Sequence, residues 1–463
     1  MAHPFPSVPS GTQVPLPTTG HDGNGGAAAW FAVVILCIAQ IVSTIDRGML
    51  ALVIDPVRAD LSISEIQIAL LQGFAFSVFY VTIGLPLGAV ADVVNRRRLL
   101  IGGIIVWSAA TIGGGLAQDF GHMFASRVFI GVGEAVLGPC AVTMIGDMFA
   151  PSRRGRPIAV YVLGSMVAYG VGSLVSGYIL QIAPTGVLNG VPFLADLAPW
   201  RIVFVLVGSF GFVIACLLAL LREPPRRGSV PGVKGKTAFR ASLRHFIDQR
   251  GVFLPLYGML ALFAMGGSAA TGWGAVLLTR SFGFQIGAAG KGLGVGQITW
   301  AIVGALVASI LVDRVSREAG AAGKVKLAAA LCLAAIPATI AGLVNNGTFA
   351  VILLSEIMFA SAVFGTTMLS VISQITPPGA RGLAVALYAF VMTMIGGSLG
   401  PLAVAYLTQH VFGAPEAVGQ SMAIVGVASL GAATLLGVLT LRRMRTDGVA
   451  AAWLAAETQP SVA

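Results

Sequence analysis

SRVFIGVGEAVLGPC, residues 126–140, places Arg127 and Glu134 inside a stretch otherwise fit to cross a bilayer. Hydrocarbon disfavours each charge by about 2.5–3.5 kcal/mol even on lenient insertion scales. Upstream, IVSTIDRGML, residues 41–50, does the same with Asp46 and Arg47. Two acids and two bases held this way point to a polar pathway through a membrane, and so to transport.

Composition agrees. The 463-residue chain is 56% hydrophobic and 10% charged, with a mean hydropathy of +0.90. Soluble domains carry about 25% charged residues. The net charge of +10 would suit nucleic acid only if gathered on one face. Here the basic residues fall in short loops between apolar runs, where they report topology, so no nucleic-acid partner is expected. Cys37, Cys140, Cys216 and Cys332 each sit in a separate apolar run without CxxC or metal-ligand spacing, and read as buried, reduced thiols. The histidines lie in loops, in tails or near span ends, and HExxH is absent. No metal, cofactor or enzymatic constellation is expected. GKGLGVGQ, residues 290–297, lacks the order of a phosphate-binding loop and opens a membrane helix.

About 20 apolar residues cross a bilayer as a helix. The pattern predicts twelve spans, at 28–53, 67–91, 98–118, 122–148, 156–182, 201–221, 251–279, 288–312, 324–344, 348–374, 381–409 and 418–441. Residues 1–27, rich in Pro, Gly, Ser and Thr and free of Lys and Arg, read as a disordered cytoplasmic tail, as do 442–463. Residues 222–250 form the one long connection, a flexible linker followed by a short amphipathic surface helix. All but six of the 28 Lys and Arg fall in segments that are cytoplasmic if both termini are inside. The exceptions are Arg58, Arg201, Arg280 and Lys291 at outer ends, and Arg47 and Arg127 within spans. That bias sets the orientation. The expected fold is an all-α membrane protein with two six-helix bundles, 28–221 and 251–441.

The halves repeat. Pro151, Arg154, Gly155, Ala159 and Tyr161 recur 227 residues later as Pro378, Arg381, Gly382, Ala386 and Tyr388. Gly88 and Asp92 after the second span correspond to Ser309 and Asp313 after the eighth. Parallel repeats with matching loops imply duplication, with a solute site between them near the midplane.

Twelve spans, the repeat and the loop Gly88-x3-Asp92-x2-Asn95-Arg96-Arg97 resemble the major facilitator superfamily. Val93 stands where that loop usually has a basic residue, and Asn95 where it has Gly. A narrower resemblance is to the spinster-like branch, carried by Asp46-Arg47, Asn95-Arg96-Arg97 and Arg127-x3-Gly131-Val-Gly-Glu134-Ala. It implies alternating access and proton-linked movement of lipid-like amphiphiles such as lysophospholipids and sphingoid phosphates, driven by the proton gradient with no cofactor. It also implies that the first and fourth spans face each other. The organic-acid or drug carriers outside this branch are the alternative. A non-transporting receptor would need a soluble signalling domain that these tails are too short to hold.

Arg127, Gly131, Glu134 and Gly138 form one helical stripe, with Arg127 and Glu134 about 10 Å apart along the axis. If the first and fourth spans face each other, Asp46 meets Arg127 and Arg47 meets Glu134. The reading assigns proton coupling to Asp46 and Glu134, and gating or anion binding to Arg47 and Arg127, since arginine's planar fork suits carboxylate or phosphate. The bland alternative is a pair of ion bridges that only holds helices in register. Glu356, the one acid well inside a second-half span, is a further coupling or binding candidate. A cytoplasmic gate is expected from Gly88, Asp92, Arg96, Arg97, Asp147, Arg154, Asp313 and Arg381, with Asp147 paired to Arg153 or Arg156. Gly164, Gly170, Gly172 and Gly177 should allow close helix packing, and the stretch Gly396–Pro401 a bend. Beyond its charges the second half offers Ser268, Thr271, Gln297, Thr366 and Thr367. An ionisable first half facing an apolar second half suits an amphiphile. The chain is expected to act as a monomer in the inner or plasma membrane, with a small solute, protons and the bilayer as partners.

Overall fold

In hydrocarbon, backbone amides and carbonyls have no water to bond, so a chain this apolar must close its hydrogen bonds within helices. The computed structural model describes residues 26–91, 93–150, 153–187, 190–226, 236–377 and 380–446, and every regular element among them is helical. Asp92, Pro151 and Pro378, most of both tails and the middle of the linker lie outside the described residues. Among the described residues, eleven helical stretches are long and apolar enough to cross a membrane.

The first half holds α1 (Ala27–Leu52), α2 (Glu65–Ala69, continued by Leu70–Phe74 and Ala75–Ala91), α3 (Arg96–Gly115), α4 (Phe120–Glu134, continued by Leu137–Met148), α5 (Gly155–Ile182) and α6 (Pro199–Leu220). The second holds α7 (Arg250–Phe282), α8 (Ile286–Ala334), α9 (Gly347–Ile375), α10 (Arg381–Phe390, continued through Val391–Gly396, Gly397–Tyr406 and Leu407–Phe412) and α11 (Val418–Thr446). Short polar side chains start several of them. Asn95 Oδ1 accepts from the Arg98 amide, Asp119 Oδ1 from that of His122, and Asn346 Oδ1 from that of Phe349, satisfying amides that a helix N-terminus leaves free. The apolar run Ile286–Leu343 has 58 residues, far more than one crossing needs. Its backbone leaves helical geometry at Gly320, with φ 57° and ψ −148°, a conformation open to glycine.

Within the first half α1 packs on α5 and α3 on α6; within the second, α7 packs on α11 and α8 on α9. Two seams join the halves. In the first, α5 meets α8 backbone to backbone. A Cβ added at Gly170 would lie 2.7 Å from Gly294 O, and one at Gly177 would lie 3.0 Å from Gly290 Cα. In the second, Gly73 of α2 meets Gly397 and Ser398 of α10, where a Cβ would come 2.6 Å from Ser398 Cα. Both helices of this seam carry a π turn there, at Leu70–Phe74 and Val391–Gly396. Such turns are frequent at functional sites.

The duplicated loops fold alike. Arg154 Nε donates to Phe149 O at 3.0 Å, and Arg381 Nε to Thr376 O at 3.1 Å. The acceptors keep the 227-residue offset of the donors. Each arginine ties the start of one helix to the end of the helix before it.

Gly170→Leu should wedge α5 from α8 at a cost of about 1–3 kcal/mol, as overpacking does. The expected readout is faster labelling, by a membrane-impermeant maleimide, of a cysteine placed at Leu52 in a background lacking the native thiols. Unchanged labelling would show that this seam does not control closure.

Candidate functional site

Asp46 and Arg47 are consecutive on α1, so about 100° of helix rotation separates their side chains. Asp46 is 1% exposed, Arg127 2% and Glu134 1%. Asp46 turns toward Arg127 of α4: Arg127 Nη1 lies 3.7 Å from Asp46 Oδ1 and donates to Asp46 O at 3.2 Å. Thr111 Oγ1 of α3 donates to Asp46 Oδ2. Arg47 turns the other way, with Nε 3.0 Å from Glu134 Oε2 and Nη2 donating to Ser43 Oγ at 3.1 Å. Both cross-pairs named from sequence are therefore present. Glycines on α4 make the approach possible. A Cβ at Gly131 would lie 2.6 Å from Phe76 O of α2, and one at Gly133 the same distance from Gly103 O of α3.

Rings cover the guanidiniums: Phe204 lies 5.2 Å from Arg127 Cζ, and Phe76 lies 5.4 Å from Arg47 Cζ. Cation–π contact offsets part of the charge desolvation. The satisfaction is incomplete, however. Among the described residues Arg127 Nε and Nη2 and Glu134 Oε1 are buried without a hydrogen-bond partner.

Arg47 also borders a cavity of about 280 Å³ between the halves, lined by Gln72, Tyr169 and Ser173 on one side and Ser268, Thr271 and Gln297 on the other. A second cavity of about 630 Å³ lies nearer the ends of the helices that carry Arg154 and Arg381. Its lining is mainly apolar, with Met166, Phe263, Met358 and Leu369 beside Ser165, Thr366 and Tyr388. Tyr169, Ser268, Thr271, Met392 and Gly397 line both, so the two cavities are adjacent.

At the opposite end lies a charge cluster whose bases, Arg58 and Arg280, the sequence placed only at outer ends, and whose acids, Asp55 and Glu65, it did not name. Arg280 of α7 reaches Asp55 (Nε to Oδ2 3.0 Å) and Glu65 (Nη2 to Oε1 2.8 Å), and Glu65 also accepts from Arg58 at 2.6 Å. Arg280 Nη1 donates to Pro415 O, and the Ile66 amide donates to Gln409 Oε1. This cluster bridges the first and second halves. Nothing in the one-dimensional pattern pairs residues 55, 65 and 280. The weak signal was two acids beside basic residues at ends that topology alone would leave neutral.

At the other end Arg96 joins Asp147 (2.6 Å) and Glu223 (2.9 Å), and the Arg97 amide donates to the other Glu223 oxygen at 2.8 Å. Arg97 Nη1 donates to Leu221 O, and Arg226 Nη2 donates to Ala91 O and Val94 O. The segment after α6 thus clasps the α2–α3 turn, with Gly88 on the helix leading into it. Glu223 is a partner that the sequence did not name for this network, and Asp147, set against Arg153 or Arg156 from sequence, meets Arg96. Asp313 is exposed, and its carbonyl accepts from Arg317. Glu356 is half-buried on α9 and lies outside the lining of both cavities, with Oε2 lacking a hydrogen-bond partner among the described residues. Phe349 and Ile352, on the same helical face, are exposed.

The model of the Major Facilitator Superfamily matches residues 36–401. An MFS-type efflux pump of Mycolicibacterium smegmatis is 26% identical over 450 residues, which are 96% of this chain and 97% of the pump. Protein spinster of Drosophila melanogaster is 26% identical over 274 residues, 59% of this chain but 42% of that longer protein. Among solved structures, a bacterial homologue of the human lysosomal transporter spinster, inward-facing and unoccupied, superposes with a TM-score of 0.76. It is 24% identical and covers 91% of this chain and 98% of its own.

Arg127→Met should leave Asp46 buried without its countercharge and cost about 3–5 kcal/mol. Adding Asp46→Asn should recover most of the loss. Thermal unfolding of the single and double variants measures the coupling, and purely additive losses would mean the two groups do not support each other.

Proposed function

We propose that this chain, which belongs to the Major Facilitator Superfamily, is a secondary-active, proton-linked transporter of a small amphiphilic or anionic organic solute. It is a multi-pass membrane transporter of the spinster-like branch. The observation that carries the finer reading is the position of Arg47, between buried Glu134 and an open cavity. A proton on Glu134 removes the charge that Arg47 balances and leaves the guanidinium to an anion. By linkage, an anion at Arg47 raises the proton affinity of Glu134 by the same factor. Asp46 with Arg127 is the second proton-linked pair, about 100° around α1 from the first.

The two sides of Gly320 are read as separate spans, which gives twelve helices in two six-helix bundles, 28–221 and 251–441. The Lys and Arg bias favours cytoplasmic termini in an inner or plasma membrane. On that orientation the Arg280 cluster is an outer gate and the cavities open inward. The likeness to an inward-facing homologue supports this reading. The inner gate is assigned to Gly88, Asp92, Arg96, Arg97, Asp147, Arg154, Asp313 and Arg381. Rocking of the bundles about the glycine seams would exchange the two gates, and a monomer suffices for this. The full-length similarity to an efflux pump favours a second reading, export of an organic acid or drug.

In proteoliposomes under an imposed pH gradient, lysolipids, sphingoid bases and aromatic acids are the solutes to screen. Glu134→Gln should cut solute-driven proton movement at least about tenfold while solute still binds, the size expected for losing one positioned proton carrier. Undiminished proton movement in a folded variant would remove Glu134 from the mechanism.

Arg280→Met should leave Asp55 and Glu65 with only Arg58 of their own half, remove the charged link between the halves and open the outer end. A cysteine at Ala275 would then label faster from outside. Unchanged labelling would show that the cluster does not hold the gate.

A further inference from the structure

The connection between the halves ends in a helix, Lys236–Asp248, that neither the cavities nor the charge clusters use. Gln249 alone separates it from α7, so it stays where α7 enters the bilayer. Exposed leucines mark that level: Leu220, the last residue of α6, and Leu254, one turn into α7, are each 74% exposed. One edge of the linker helix packs on protein. Phe246 is 9% exposed, and its ring centroid lies 4.6 Å from that of Phe253 in a T-shaped contact. The His245 ring lies 5.8 Å from the same phenylalanine. Further round the helix this cover stops. Leu243 and Ile247, about 40° apart in helical phase, are 43% and 51% exposed. About 60° beyond Ile247 comes Arg244, whose side chain is 84% exposed. The register sets Arg240 one turn before it. Arg244 Nε lies 3.9 Å from Asp248 Oδ2, and both groups are open to water, so the pair is weak and easily released.

An open apolar arc with long basic side chains on its flank fits a lipid–water interface. There the apolar face enters the boundary between headgroups and acyl chains, and each arginine lays its stem over that face and reaches out to phosphate. The charge balance selects the lipid. Residues 222–250 hold eight Lys and Arg against two acids, and one of those acids, Glu223, is already engaged by Arg96. Each basic residue held near an anionic lipid surface strengthens attachment severalfold.

We propose that the linker helix is a docking element for anionic lipid. Leu243 and Ile247 enter the leaflet, Arg240 and Arg244 take its phosphates, and the Phe246–Phe253 contact passes this anchorage to the Arg250 end of α7. Which leaflet is engaged follows from the topology proposed above. The docking itself depends on neither the solute nor the proton coupling.

The test uses the full chain with its native cysteines replaced and a single Leu243→Cys carrying a nitrobenzoxadiazole fluorophore. It is placed in nanodiscs of phosphatidylcholine, with or without phosphatidylglycerol, and both kinds contain a nitroxide-bearing phosphatidylcholine as quencher. The label should be quenched strongly in the discs that hold phosphatidylglycerol and weakly in those that do not. A label at Asp248→Cys, on the polar side of the helix, should escape quenching in both. Arg240→Gln combined with Arg244→Gln should lower the ratio of docked to undocked helix in the anionic discs about tenfold or more, the size expected for two basic residues at such a surface. High salt should do the same to the unsubstituted helix. Thermal midpoints show whether the arginine variant keeps its fold, and the salt response carries the test if it does not. Equal quenching in the two lipids would overturn the proposal by showing insertion without charge preference. Absence of quenching in both would place the arc in water or against protein, and a lipid preference that survives loss of both arginines would remove them as the readers of the headgroup.

Discussion

Two guanidiniums and two carboxylates at membrane depth have to neutralise one another, and the first half of the molecule is arranged around that requirement. Because Asp46 and Arg47 are neighbours on α1, they cannot point the same way. The acid therefore goes to Arg127 and Thr111, the base to Glu134 and the cavity. One helix thus takes part in both bridges, in opposite senses. A turn of α1 about its axis changes both distances together, which couples the two acids without any contact between them. Glycines at 131 and 133 bring α2 and α3 close enough to exclude bulk water from the pairs. In that low-dielectric setting each bridge is worth more made, and costs more broken, than on a surface.

Much of this was legible in the chain because membranes restrict the options. Apolar runs have to be helices, and a charge within one has to find a countercharge. Residues 46, 47, 127 and 134 could be paired from depth and helical phase alone once α1 was set against α4. The duplicated Arg-Gly loops were equally plain, and Arg154 and Arg381 make equivalent bonds to equivalent carbonyls. The glycines of α5 were read as packing positions without a partner; the structure supplies α8 for Gly170 and Gly177 and α1 for Gly164 and Gly172. What stayed hidden depends on geometry between distant segments. Arg280 meets Asp55 and Glu65 across more than 200 residues, and no local period encodes that. Arg96 with Glu223 was missed because Glu223 sits in a segment that composition marks as linker. Glu356, an intramembrane acid that attracts a functional reading, lies on a helical face outside the lining of both cavities.

The seams explain how such a body can rock. α5 against α8, and α2 against α10, touch largely through backbone and small side chains. Such surfaces gain dispersion contact without fixing rotamers, so separating them disturbs few side-chain arrangements. The π turns on α2 and α10 fall at the second seam, where a looser ladder lets the helix axis shift without breaking the chain of hydrogen bonds.

The Arg280 cluster differs from the intramembrane pairs in one respect. Asp55 is 39% exposed at its side chain, while Glu65 is 4% exposed, so the cluster sits where dissolved ions can reach it. Salt screens partly exposed charges, over a Debye length of about 8 Å at physiological ionic strength, more than it screens the deep pairs. On the gating role proposed for this cluster, the resting conformational balance is tied to the salinity of the compartment that this end faces. Brine would then loosen the contact and dilute medium would tighten it, with the deep pairs unchanged.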